Sequence, residues 1–293
     1  MRHPMAWPGS RLWLPLSLAM LCCPGMAHAD DVGIVAEYRP AAGRFSFERG
    51  VGETVPVRIG TVVAAGDRLS LPAGAAVIVQ EGSGQRREFA GPGTFEIPAS
   101  RPLGRLAAIY RSMTAVFDDE YRLAGTAASR SGEDCRAGTE TRAIHVPILA
   151  GQPAIAAGER DLPLAWVGGC TPFTVSVLSA DGTVLHRSSV DARRVRLDRV
   201  QLAVGRYEIL VEDADGLAFR ASLEAMPAAP ELPAEIAEDH SPLGVVAGAI
   251  WLAEQDGGRW RFDSFERLRP MIRAGDPLAG AIGDGVLWGE YSR

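Results

Sequence analysis

Between Val57 and Pro98 the chain reads VRIGTVVAAGDRLSLPAGAAVIVQEGSGQRREFAGPGTFEIP, a run of short apolar segments separated by tight-turn residues. The turns fall at Gly66-Asp67, Ala73-Gly74, Gly82-Ser83-Gly84 and Gly91-Pro92-Gly93. Glycine reaches positive φ without steric cost and proline presets φ, so each of these sites reverses the chain cheaply. A helix of ordinary length cannot survive such spacing. Period-two alternation at Val55, Val57 and Ile59, and again at Val77 and Val79, predicts strands. With turns about every 8–12 residues, the expected outcome is a sandwich or barrel-like β-domain. Its span is 30–99. An opening segment carries Val32, Ile34, Ala36 and Tyr38 at every second position, and a hairpin follows with Phe45 and Phe47 on one face.

The order of these pieces resembles the FecR-like periplasmic domain. That module has an apolar incoming strand, a GD-x-L turn, a G-A-x-A-x-V/I strand, a polar hairpin and a return strand through a G-P-g turn. Here the same places hold Val57–Ile59, Gly66-Asp67-Arg68-Leu69, Gly74 to Val79, Gly82-Ser83 and Gly91-Pro92-Gly93-Thr94-Phe95-Glu96-Ile97. The resemblance covers roughly residues 32–98. It implies a sensing or relaying role outside the cytoplasm, and an envelope or membrane protein as partner. In the family's best-known members the domain takes a signal from an outer-membrane transporter and passes it through a membrane helix to a cytoplasmic anti-sigma segment. This chain departs from that pattern by carrying a cleavable leader and no second membrane helix. What carries over is binding at the level of the domain.

The leader is residues 1–29. Arg2 and Arg11 supply the positive region, Leu12 to Cys23 the apolar one, and Ala27-His28-Ala29 the cleavage site before Asp30. The apolar stretch is too short for a membrane span, which needs about 20 residues. Leu21 precedes Cys22 where a lipobox has Gly, Ala or Ser, so cleavage after Ala29 is the better reading than lipidation. No later segment reaches membrane length without a charge, so the mature chain is expected in the periplasm without a transmembrane anchor. Every basic residue is arginine, because the chain has no lysine, and it has no asparagine either. Cleavage would remove two arginines and no acid, moving the net charge from −6 to −8. An acidic chain without a basic block argues against nucleic acid or anionic lipid as a partner.

Residues 142–226 predict a second β-domain, an immunoglobulin- or fibronectin-like Greek-key sandwich. Leu202-Ala-Val-Gly205-Arg-Tyr207 has the pattern of a tyrosine corner, in which the Tyr hydroxyl ties a cross-over loop to the backbone. Leu164-Ala-Trp166 resembles the L-x-W strand of such sandwiches, with Trp166 in the core. Two cysteines follow the leader, Cys135 and Cys170. In an oxidising compartment a disulfide is their simplest fate, closing a loop of 34 intervening residues. Such a bond stabilises by about 3–4 kcal/mol in the chain-entropy model. Two unrelated thiols are the other possibility. Sulfurs this far apart lack the clustered spacing of a zinc site.

Between the β-domains, residues 100–124 predict a linking helix. Ser100 is its cap, and Leu103, Leu106, Tyr110, Met113, Phe117 and Tyr121 lie along one face. Residues 125–141 are small and polar and read as a flexible linker. A Pro-rich linker spans 227–240, and 241–293 form a helical tail. Ser241-Pro242 and Asp276-Pro277 mark helix starts there, each a capping side chain before a proline. Leu243, Val246, Ile250 and Ala253 make one apolar stripe. The fold class is therefore mainly β, two β-domains with a linking helix and a short helical tail.

Catalytic signatures are missing from the sequence. There is no G-x-S-x-G elbow, H-E-x-x-H, P-loop or dinucleotide fingerprint. His145, His186 and His240 stand apart from one another, and no cofactor or metal motif is present. The expectation is a non-enzymatic binding or scaffold protein of an envelope sensing system. The alternative is an envelope-glycan binder, or a divergent hydrolase, using a cleft between the two β-domains.

Overall fold

The computed structural model describes residues 30–39, 45–50, 52–114 and 143–288, with the side chains of 112–114 left aside. The leader, Cys135, the far half of the linking helix and the 125–141 linker lie outside the described residues. The chain is mainly β, with several antiparallel sheets followed by helices.

Among the described residues the first β-domain has eight strands: β1 (Asp31–Arg39), β2 (Ser46–Arg49), β3 (Glu53–Pro56), β4 (Val62–Ala64), β5 (Arg68–Leu71), β6 (Ala76–Glu81), β7 (Arg86–Ala90) and β8 (Gly93–Glu96). They form two four-stranded sheets, in the orders β4-β1-β6-β7 and β3-β2-β5-β8. Val32, Val35, Phe47, Leu69, Val77, Val79 and Phe89 share the core of this domain. The Gly-Asp turn holds the two sheets together. Gly66 takes φ 84°, and Asp67, 1% exposed, accepts the Ala64 N–H at 2.8 Å. Asp67 also pairs with Arg49 of β2 at 2.8 Å, while Arg49 donates to the Val62 carbonyl of β4 at 3.0 Å. Gly91 has a steric reason, since a β-carbon there would overlap the Pro72 carbonyl oxygen.

Strand β1 corrects a simple alternation. Its register shifts between Asp31 and Gly33 and again between Val35 and Glu37. Each bulge turns later side chains to the other face. Val32 and Val35 therefore enter the first core, while Ile34 and Ala36 face the other way, into a second apolar cluster. Tyr38 packs back against the first core.

The second β-domain comprises β9 (Ala154–Ala156), β10 (Gly158–Ala165), β11 (Phe173–Ser179), β12 (Val184–Val190), β13 (Arg194–Leu202), β14 (Gly205–Glu212) and β15 (Ala218–Met226). A five-stranded sheet, β12-β11-β14-β15-β9, packs with the β10-β13 pair as a sandwich. Trp166 is fully buried and meets Phe173 edge-on at 5.1 Å between ring centroids. The Tyr207 hydroxyl donates to the Ala203 carbonyl at 2.9 Å, the geometry of a tyrosine corner, with Leu202 buried and Gly205 at φ 153° beside it.

Among the described residues the α-helices are α1 (Leu106–Thr114), α2 (Ala234–Ala237), α3 (Pro242–Glu254), α4 (Arg261–Arg273) and α5 (Pro277–Leu287). Ser241 Oγ accepts the Gly244 N–H at 3.1 Å and Asp276 Oδ1 accepts that of Ala279 at 2.9 Å, so both Xaa-Pro pairs cap their helices. Two expectations change. Helix α1 starts at Leu106, because the Ser100 hydroxyl donates to buried Glu81 at 3.0 Å and residues 100–103 run along the first domain. Helix α3 is buried on nearly all sides, not along one stripe, since Gly244, Ala247, Gly248 and Ala249 are covered too. Its small residues admit close neighbours: Arg267 lies over Gly248 and donates to the Val245 carbonyl at 3.1 Å.

The tail docks within the chain and fills the interval between the β-domains. Ile34 and Ala36 of β1, Tyr110 of α1, Leu243 and Ile250 of α3, Ile282 of α5 and Leu162 and Leu164 of β10 belong to one apolar cluster. Polar ties fasten it. The Tyr110 hydroxyl donates to the Leu243 carbonyl at 2.7 Å, the Ala154 N–H to the Arg259 carbonyl at 2.8 Å, and Arg269 pairs with Asp161. The Pro-rich 227–240 stretch is a packed strap: Ala229 and Leu232 sit against Trp260 and Leu252.

Candidate functional site

A cleft of about 440 Å³ opens where the exit from the first β-domain approaches the strap and α3. Pro102, Leu103, Leu106 and Ile109 form one wall, and Pro233, Ile236, Leu243 and Trp251 the other. Leu103, Ile236 and Leu243 are buried and form the floor, while Leu106, Ile109 and Trp251 are half-buried and present apolar surface to solvent. Gly82 lies at one end. A β-carbon there would overlap the Arg101 carbonyl, so only glycine lets the 100–103 segment pass this close.

Four charged residues line the cleft: Arg101, Arg105, Glu235 and Asp239. Arg105 and Glu235 form an ion pair joining the start of α1 to α2. Asp239 accepts the Ser241 N–H at 2.9 Å at the start of α3, where the helix dipole favours negative charge. Arg101 is exposed and has no partner among the described residues.

Beneath this wall Glu81 is a buried carboxylate with several donors. Arg87 reaches it at 2.6 Å, Ser100 at 3.0 Å and Ser83 at 3.2 Å. Burial by itself would raise its pKa, but these donors together hold it below the ordinary value. Gly82-Ser83-Gly84, superficially a serine motif, thus uses its hydroxyl to hold a carboxylate.

A second groove, about 580 Å³, runs along β15 beside residues 149–153. Its lining is mixed, with Phe219, Leu149, His145, Arg206, Arg220 and Ser222. At the opposite edge of the same sheet, β12 exposes Val184 and Leu185.

The other sequence candidates take structural places. Cys170 is disulfide-bonded, and Cys135, its expected partner, lies outside the described residues. Cys170, Asp213 and Asp215 gather within 4.8 Å, which resembles a metal site. The bonded sulfur is no thiolate, however, and Asp213 already accepts N–H groups from Cys170, Asp215 and Leu217 at 2.8–3.0 Å. It ties the β14–β15 turn to the start of β11. Among the described residues no side-chain hydrogen bond joins His145, His186 or His240 to a hydroxyl or carboxylate. No local motif announces the cleft, since its walls come from residues 82, 101–109 and 233–251. No described helix is long and apolar enough to cross a membrane.

No protein-family model and no curated protein matches the chain. Among solved structures it is similar to CopC from Methylosinus trichosporium OB3b, at 22% identity and TM-score 0.23, over 28% of this chain and 91% of that one. It is also similar to the fibronectin(III)-like modules of Clostridium thermocellum CbhA, at 12% identity and TM-score 0.21, over 69% of this chain and 83% of the modules. A biofilm-associated protein BSP domain matches at 13% identity and TM-score 0.22, over 66% of this chain and 26% of that one. Likeness of this degree carries nothing about activity.

Proposed function

We propose that this chain is a non-catalytic binding and scaffold protein of the cell envelope, exported to the periplasm, where its FecR-like first β-domain contacts a protein partner in a sensing or relay system. The observation that carries the reading is the docking of the tail. By burying one face of β1 together with β10, helices α3 and α5 join both β-domains into one body. A domain held this way can present its remaining surface at a fixed angle, as a scaffold requires. The sheet edges β7 and β8 stay outward, bearing exposed charged and small polar side chains such as Arg86, Glu88 and Thr94. Charged edges of this kind resist indiscriminate strand addition and leave room for a chosen partner.

Photo-crosslinking residues placed at Glu88 and Thr94, with Val184 of the second domain for comparison, test the reading in living cells. The expected result is one envelope protein captured from the first-domain positions. Capture of cell-wall fragments alone, with no envelope protein, would overturn it and favour glycan binding.

A further inference from the structure

We propose that the cleft between α1 and the α2–α3 segment is a binding site for a small amphiphile: an apolar chain ending in a single carboxylate or phosphate. The site is independent of the protein-partner reading, because its test needs no partner. Its volume, about 440 Å³, is within the range of small-molecule pockets. Leu106, Ile109 and Trp251 are half-exposed there, above a floor of Ile236 and Leu243. An alkyl chain would take that apolar surface out of water, which favours binding.

Charge selects the head group. Among the four charged side chains in the lining, Arg105 and Glu235 neutralise each other. Asp239 accepts the Ser241 N–H at 2.9 Å and sits at the amino end of α3, where the helix dipole offsets its charge. That leaves the guanidinium of Arg101, which is exposed and has no partner among the described residues. Guanidinium forms charge-assisted, often bidentate, bonds to carboxylate and phosphate. A neutral amphiphile would fill the apolar part and leave Arg101 unmatched. A cationic one would be repelled. The place of Arg101 is fixed by its backbone, whose carbonyl lies against Gly82.

The test uses the purified protein with 11-(dansylamino)undecanoate as a fluorescent probe, displaced in turn by decanoate, decyl phosphate and decanol. Saturable binding of one probe per chain is expected, displaced by both anions at least tenfold more readily than by decanol. Vesicles containing phosphatidylglycerol form a separate arm. Displacement by free decanoate without vesicle binding identifies a soluble anion as the source, and vesicle binding identifies a lipid. Arg101→Glu should weaken probe binding tenfold or more and Arg101→Lys should keep most of it. Leu106→Glu, at a half-exposed position, should abolish binding while the melting temperature shows the fold retained. Equal displacement by decanol and decanoate, or unchanged binding by Arg101→Glu, would overturn the proposal. So would the absence of saturable binding to the folded protein.

Discussion

The hydroxyl of Tyr110 donates to the carbonyl of Leu243, 2.7 Å away, so the first residues of α3 are tied to the helix that leaves the first β-domain. Both partners are buried, in the apolar cluster that also holds Ile34 and Leu164. A hydrogen bond there links segments far apart in sequence with no water to compete for it.

Tyr110→Phe keeps the ring and removes the bond, leaving the Leu243 carbonyl without this donor. A loss of about 1–2 kcal/mol is expected. Urea unfolding monitored by circular dichroism would show it as a lower midpoint at unchanged slope. Hydrogen exchange at the α3 amides should speed up as well.

The Gly-Asp turn of the first domain should be sensitive in a different way. Asp67→Ala strips Arg49 of its carboxylate and the Ala64 N–H of its acceptor. Removing one partner of a buried pair costs about 3–5 kcal/mol, and Arg49 is partly hydrated, so about 2–3 kcal/mol is expected. Asp67→Asn, which preserves an acceptor for Ala64, should cost less. Thermal melts of the two variants side by side would rank them.

A buried carboxylate, Glu81, and a half-buried one, Asp263, predict opposite pH slopes. Glu81 is held below its ordinary pKa in the folded protein, despite burial, by Arg87, Ser100 and Ser83. Its stabilisation is present above the unfolded value, about 4.3, and is lost as pH falls through the depressed one. Asp263 is raised, chiefly by burial. Its contribution is full below the unfolded value, about 3.9, and is lost as pH rises through the elevated one. Melting curves between pH 3 and about 7 should therefore show Glu81→Gln flattening the acid limb. Asp263→Asn should remove a decline on the upper side, while its amide oxygen still accepts the Ala156 N–H.

In the second sandwich, Trp166→Ala should cost about 3–5 kcal/mol, since the vacated volume lies against Phe173 in a buried core. Tyr207→Phe removes only the bond to Ala203 and should cost about 1 kcal/mol. Chemical denaturation of both variants against the parent protein would check the ratio.

The features that the sequence made legible are those with a local cause. Gly66, Ser241 and Asp276 each answer a constraint set within a few residues, a turn or a helix end. Tyr207 reaches back only to Ala203, and Trp166 carries a strand signature. The bulges of β1 left no such trace, because Val32, Ile34 and Ala36 alternate evenly and the register shifts arise in pairing with β4 and β6. Burial of α3 on all sides was hidden for the same reason, since Gly248 is explained only by Arg267 of another helix. The cleft is the extreme case, with walls that meet only after both β-domains and the tail have packed.

Strand β1 is made about 200 residues ahead of the helices that share the cluster on one of its faces. Val32 and Val35 can be covered as soon as β2 to β8 arrive. Ile34 and Ala36 share their cluster with Leu103 and Tyr110, but it is completed only when residues 243–287 are synthesised and folded back. During that interval the amino-terminal half carries an adhesive flank, open to chaperones and to other nascent copies. Loss of α3 to α5 would make the interval permanent, so nonsense mutations ahead of residue 243 should yield aggregated or degraded protein instead of a shortened functional one.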